Sequence, residues 1–167
     1  MRKALILLLS TLMLAALPAS TNGATKARTT KVAIITDQKT YAAIGNNIDA
    51  FTSSMSLIGK EGVLIIDEWQ HPDSLRRVLK HYYSSQNLEG AILVGDIPIP
   101  MIRDAQHLTT AFKMDQSADW KDSSIPSDRF YDDFDLSFEY LKHDADKPLL
   151  HYYSLTAESA QTIGCDI

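Results

Sequence analysis

Cysteine is nearly missing from this chain, which has 167 residues and one cysteine, Cys165. A single cysteine forms no disulfide within the chain, so packing must supply the stability of the fold. A zinc site is also unsupported, because one cysteine and five scattered histidines show none of the usual ligand spacings. We interpret Cys165 as a buried structural residue. The alternative, a thiol nucleophile, needs an activating imidazole, and no histidine stands in a local motif for that role.

Glycine is scarce as well, with seven residues in the chain. The segment that would join the first strand to the first helix, TDQKT, contains none. Neither GxGxxG nor a Walker A sequence occurs, so the chain has no recognisable backbone cradle for phosphate. These absences argue against a nucleotide-binding fold.

Only one long apolar run occurs, and it lies near the N-terminus. The basic MRK is followed by the 14-residue ALILLLSTLMLAAL and by the small residues of PASTNGA. This order predicts a secretory signal peptide over 1–24, cleaved between Ala19 and Ala24. The alternative is a retained N-terminal anchor, although a membrane span needs about 20 apolar residues. We therefore expect an exported protein, periplasmic, cell-surface or extracellular, with no membrane association after cleavage.

Positive charge is not in excess. The whole chain has a net charge of −5, and removal of Arg2 and Lys3 with the signal segment changes this by two charges to −7. Binding to nucleic acid is driven by basic patches, so we expect no nucleic-acid partner. The sequence leaves other partners unknown.

The apolar pattern after a polar leader at 25–30 predicts alternating strands and helices. Parallel βαβ units give this alternation, and strands covered on both faces are continuously apolar. We therefore predict one α/β domain over 31–167, a three-layer sandwich with a mainly parallel sheet. The predicted elements are strand 31–36, helix 38–56, strand 62–69, helix 71–86 and strand 90–96.

Both helices have an apolar stripe and an N-terminal signal. Asp37 is the expected N-cap of the first helix, and Pro72 suits the first turn of the second. The expected inward stripes are Tyr41, Ile44, Ile48, Phe51 and Met55 in the first helix, and Leu75, Val78, Leu79 and Tyr82 in the second.

The pattern is less regular after Pro100. We expect a short helix within 103–116, a polar loop at 117–128, an aromatic and acidic segment at 129–141 and a short strand at 151–155.

Three carboxylates follow the three predicted parallel strands: Asp37, Asp67 and Asp96, with Glu68 next to the second. Ligands of open α/β sheets bind at this edge, and carboxylates there suit Ca²⁺ or Mg²⁺. The alternative is that each aspartate caps a helix or a turn, which is its commonest use. No other cofactor is expected.

A second acidic group lies in PSDRFYDDFD, at 126–135. Its aspartates would suit a calcium loop, but the segment lacks the order of an EF-hand and its glycine. A solvated loop anchored by its aromatic residues is the other interpretation. The aspartates are Asp128, Asp132, Asp133 and Asp135.

Three segments in order resemble the start of a gingipain-type cysteine peptidase domain: LVGDIPIP, IPSDRFYDDFD and YYSLTAESAQTIGCDI. In that family a strand ending in Val-Gly-Asp is followed by Ile-Pro, as at 94–98 here. A Ser-Asp-x-x-Tyr segment comes next, matched by Ser127, Asp128 and Tyr131. A strand with Gly-Arg then follows, and only its beginning, from Cys165, is matched. The resemblance covers about 31–167.

The resemblance implies a caspase-like α/β fold of which this chain matches the leading subdomain. The family's nucleophilic cysteine and its histidine, in a His-Gly motif, belong to the following subdomain. No His-Gly dipeptide occurs here, and Cys165 falls before the point where the catalytic subdomain would start, so no catalytic residue carries over. Asp96 would then order a turn, with Pro98 and Pro100 directing the chain out of the sheet.

We therefore expect an exported subdomain, incomplete at its C-terminus, that lacks the dyad, has no peptidase activity alone and pairs with a catalytic subdomain. The alternative is a self-sufficient exported binding module that uses the acidic strand ends, which could hold a cation.

Overall fold

The first sheet is parallel and has the strand order β2–β1–β3. The computed structural model describes residues 29–104, 115, 117–156 and 167. Strand β1 (Lys31–Asp37) lies in the middle, flanked by β2 (Glu61–Asp67) and β3 (Leu88–Val94). Helix α1 (Gln38–Ser54) and a 3-10 turn (Met55–Ile58) connect β1 to β2, and helix α2 (Pro72–Gln86) connects β2 to β3. All five predicted elements of this region are present.

The two helices cover opposite faces of the first sheet, because successive residues of β1 point to opposite sides. Ile34 packs with Ile48 of α1 and with Met55. Ala33 and Ile35 face the other way and pack in the core that contains Leu75 and Leu79 of α2. The α/β fold class is therefore confirmed for the described residues.

The second sheet is mixed and has the order β5–β4–β7–β6. Strand β4 (Ile99–Arg103) pairs in parallel with β7 (Leu150–Leu155). The short β5 (Ile125–Pro126) and β6 (Phe138–His143) pair antiparallel with β4 and β7, respectively. The prediction of one mainly parallel sheet is therefore too simple, since it holds for the first sheet alone.

One hydrophobic core joins α2, the first sheet and the second sheet. Phe130, from the short helix α3 (Arg129–Asp132), and Tyr153 of β7 belong to the same cluster as the α2 residues. Arg76 of α2 donates to the carbonyls of Asp133 and Leu136 at 2.8 and 2.7 Å. Its guanidinium also lies 5.3 Å from the ring centre of Phe130. Helix α2 therefore connects the two sheets.

Several expected boundaries and faces are corrected. Ile44 and Phe51 are 44% and 43% exposed, so the predicted stripe of α1 is not one buried face. The backbone at Ile44 leaves helical geometry, so α1 is also kinked at this residue. Strand β2 ends at Asp67, and Trp69 instead turns into the core and donates to the carbonyl of Thr36 at 2.9 Å.

The region after Pro98 contains more strand than expected. Pro100 lies inside β4, where it needs no N–H partner and its carbonyl accepts from Ser127 at 3.1 Å. The strand expected at 151–155 is confirmed as β7, while 117–128 and 129–141 also contain β5, α3 and β6. The signal peptide over 1–24 and most of the helix expected within 103–116 lie outside the described residues.

None of the helices in the described part of the chain combines the length and the apolar character that crossing a membrane requires.

Candidate functional site

Asp37 joins the carboxyl ends of β1 and β3. Its Oδ1 accepts the backbone N–H of Thr40 at 2.7 Å, which makes it the N-cap of α1 as predicted. Its Oδ2 accepts the backbone N–H of Asp96, also at 2.7 Å. Burial alone would raise the pKa of Asp37, but the hydrogen bonds from Thr40 and Asp96 outweigh it and lower the pKa below its ordinary value. This carboxylate is therefore held ionised in a structural role.

The other two strand-end aspartates lie at the same edge, on the surface. Asp67 is the register partner of Asp37 across β1 and β2, and its Oδ1 accepts the N–H of Glu68 at 2.8 Å. Asp96 forms an ion pair with Lys39 at 3.2 Å, in which both side chains are more than half exposed. The turn before Asp96 is made by Gly95, whose φ is +101°.

The sequence thus places the three carboxylates on one edge, and the structure gives each a separate partner. Within the described residues, no group of three or more acidic, histidine or cysteine side chains has a geometry for metal binding. Binding of Ca²⁺ or Mg²⁺ at Asp37, Asp67 and Asp96 stays a prediction. It is tested by the change in melting temperature with added metal, and by loss of that change in Asp96→Asn.

The acidic segment at 126–135 is an anchored turn. Tyr131 is buried, and its hydroxyl donates to the carbonyl of Pro98 at 2.7 Å. Asp133 is 2% exposed and accepts the N–H of Asp135 at 3.2 Å. Asp132 pairs with Arg129 over 3.8 Å. This geometry agrees with the interpretation of the segment as a loop that its aromatic residues anchor.

A cleft of about 500 Å³ lies beside the outer edge of β3. Its lining includes Ala91 and Leu93 of β3, Asp128 and Tyr131 of the acidic segment, and Ile167. The N–H of Ile167 donates to the carbonyl of Asp132 at 3.3 Å, which holds this residue against α3 at the cleft.

Strand β3 is an edge strand in the described part of the chain. It pairs with β1 alone, and its neighbouring residues Ile92 and Leu93 are each 36% exposed. Adjacent residues of a strand point to opposite faces, so both faces are open at this edge. The expectation of a fully buried third strand is therefore wrong.

A histidine cluster lies away from this edge and was not predicted. His151 of β7 is 3% exposed and is the register partner of His143 of β6. The ring centres of His151 and His143 are 4.5 Å apart, and His71, before α2, is 4.7 Å from His151. Burial, followed by the charges on the other two histidines, lowers the pKa of His151 to about 4.

Cys165 and His107 lie outside the described residues, so the thiol and one of the five imidazoles have no structural assignment. Comparisons of the chain with family models, with curated proteins and with solved structures found no match.

Proposed function

We propose that this chain is the exported leading subdomain of a gingipain-type cysteine peptidase with a caspase-like fold. It contributes no catalytic dyad and has no peptidase activity on its own. Its task is to supply an α/β unit against which a catalytic subdomain packs.

One observation carries the proposal: the segments that resemble the family contact one another. The first contains Pro98, and the second contains Tyr131, whose hydroxyl donates to the Pro98 carbonyl. The backbone N–H of Ser127 donates to the carbonyl of Pro100, which is a second contact between them. Ile167, from the third segment, lines the same cleft as Tyr131. Segments separated by about thirty residues thus form a single structural unit.

The outer edge of β3 supports the assembly role. In the described part of the chain β3 is an edge strand with exposed apolar side chains, and an edge of this kind can pair with a further strand. Ile92 and Leu93 give this edge apolar character on both faces, and the cleft beside it is lined by Leu93 and Tyr131. A packed subdomain would cover both features.

The gene supplies the first test. The DNA following the codon of Ile167 should encode Gly-Arg, then His-Gly, then a later cysteine. If no reading frame encodes these motifs, the proposed family is wrong.

Activity supplies the second test. The purified chain should leave Arg- and Lys-terminated reporter peptides uncut under reducing conditions, because it contains no His-Gly motif and, on this proposal, the dyad belongs to the following subdomain. Cys165→Ala is the matched control and should behave like the wild type. Cleavage by the wild type that disappears in Cys165→Ala would contradict the proposal and make Cys165 a nucleophile.

A further inference from the structure

The histidine cluster (His71, His143 and His151) connects three separate elements. His71 is the N-cap of α2, where its Nδ1 accepts the N–H of Asp73 at 3.3 Å. His143 ends β6, and its Nε2 lies 2.8 Å from the carbonyl of Pro148. A carbonyl only accepts, so this nitrogen carries the proton. His151 lies between the other two rings.

The surroundings of His151 favour the neutral form of its ring. In the described part of the chain, neither of its ring nitrogens has a hydrogen-bond partner. A proton added to it would create a buried charge without an acceptor, which is costly. The neighbouring imidazoles of His71 and His143 supply no negative charge, and both oppose a proton on His151.

The surrounding groups do not compensate for this charge. Tyr140 of β6 lies 6.4 Å from His151 between ring centres, and Pro100 of β4 is its uncharged register partner. Asp73 of α2 supplies a carboxylate, but it lies 3.2 Å from Nδ1 of His71. Tyr153 of β7 is 3.4 Å from that same nitrogen. The Asp73 carboxylate is therefore placed against His71 and gives a proton on His151 no counter-charge.

We propose that the histidine cluster is an acid-sensitive latch that holds the β6–β7 hairpin against the start of helix α2. At neutral pH the three rings pack together. In mild acid His151 takes up a proton by leaving its buried position, which separates the hairpin from α2. The first sheet, which contains none of the three histidines, keeps its structure at the same pH.

The direction with pH follows from the pKa of His151, which is about 4 when the latch is closed and returns to the ordinary 6.5 when the ring is exposed. The free-energy advantage of the closed state over the open state is complete above pH 6.5. It is lost as the pH falls from 6.5 to about 4. These two values predict a rise of roughly 20-fold in the opening equilibrium between pH 7 and pH 5.

The two tryptophans allow the sheets to be observed separately. Trp120 contacts Tyr152 of β7 with ring centres 4.3 Å apart, and Lys142 of β6 lies 4.8 Å from its ring centre. Trp69 instead bonds to Thr36 of β1. In protein labelled with 5-fluorotryptophan, the ¹⁹F signal of Trp120 should change between pH 6.5 and 4.5 while that of Trp69 stays constant. Amide exchange in β7, corrected for its intrinsic rate, should increase over the same range.

His151→Phe removes the proton site and keeps a ring. In this variant the corrected exchange rate of β7 should rise by about threefold or less between pH 7 and pH 5. His81→Gln is the matched control, since His81 lies in α2 outside the cluster, and it should retain the full dependence. A wild-type histidine titration by NMR needs no variant and should show His151 with a midpoint below 5. A midpoint near 6.5, a flat β7 exchange profile, or equal profiles for wild type and His151→Phe would each overturn the latch.

Discussion

Oδ2 of Asp37 occupies the space that a Cβ atom at Gly95 would need. The hydroxyl of Thr40 limits the same space. Together with the φ of +101° at this glycine, the contact fixes how closely the end of β3 approaches the start of α1. The turn between β3 and β4 therefore depends on a residue without a side chain at this position.

Gly95→Ala should lower the free energy of unfolding by about 2 kcal/mol or more, because it adds left-handed backbone strain to a steric conflict with Asp37. Gly90→Ala is the matched control. No atom lies within 4 Å of its added Cβ and its φ is not positive, so the change should stay within about 0.5 kcal/mol. Urea unfolding measures both. Equal effects would show that the turn tolerates a side chain.

Asp37→Asn should lower stability by about 1–3 kcal/mol, because an amide cannot accept both N–H groups that Asp37 now accepts. Asp67→Asn is the control, since Asp67 is exposed and caps one neighbouring N–H, and it should cost about 0.5 kcal/mol or less. Chemical denaturation at pH 7 compares the two. A loss as small as that of the control would contradict the capping role.

The stability that the Asp37 carboxylate contributes should also depend on pH. The pKa of Asp37 is lower in the folded chain than the ordinary value of 3.8, because the hydrogen bonds from Thr40 and Asp96 outweigh its burial. Its stabilising effect is therefore complete above 3.8 and is lost as the pH falls through the folded pKa. The difference in stability between wild type and Asp37→Asn should shrink below pH 4. A difference that stays constant down to pH 2.5 would exclude this linkage.

The first sheet and its helices could be predicted because each signal is local. An apolar run, an N-cap such as Asp37 and a first-turn proline such as Pro72 identify an element without knowledge of the rest of the chain. The partner of the Asp96 carboxylate could not be predicted. Whether Asp96 meets a metal ion or Lys39 depends on side-chain positions across two connections.

Tyr131→Phe should cost about 1 kcal/mol, because it leaves the carbonyl of Pro98 without its buried donor. Tyr41→Phe is the comparison, since its hydroxyl bonds to Asp49 at an exposed position, and its effect should be about 0.5 kcal/mol or less. Thermal unfolding of both variants measures the difference. If Tyr131→Phe is neutral, the contact between the two family-like segments contributes little.

Of the second sheet only β7 was expected, and its other strands and the histidine cluster were missed for a physical reason. Strand β4 contains Pro100, which argues locally against a strand, and β6 exposes apolar and charged residues alike. Their pairing depends on β7, far along the chain. His143 and His151 become neighbours only through the antiparallel register, and His71 joins them through packing, so no spacing in the sequence signals the cluster.

The order of strands in the second sheet also constrains how the chain folds during synthesis. Strand β4 ends at Arg103, but its parallel partner β7 begins at Leu150. Translation proceeds at about 5–20 residues per second, so β4 waits roughly 2–10 s for that partner. During this interval Ile102, which is 1% exposed in the folded chain, has no completed sheet to enter. Nascent chains that stop before β7 should therefore be the aggregation-prone ones.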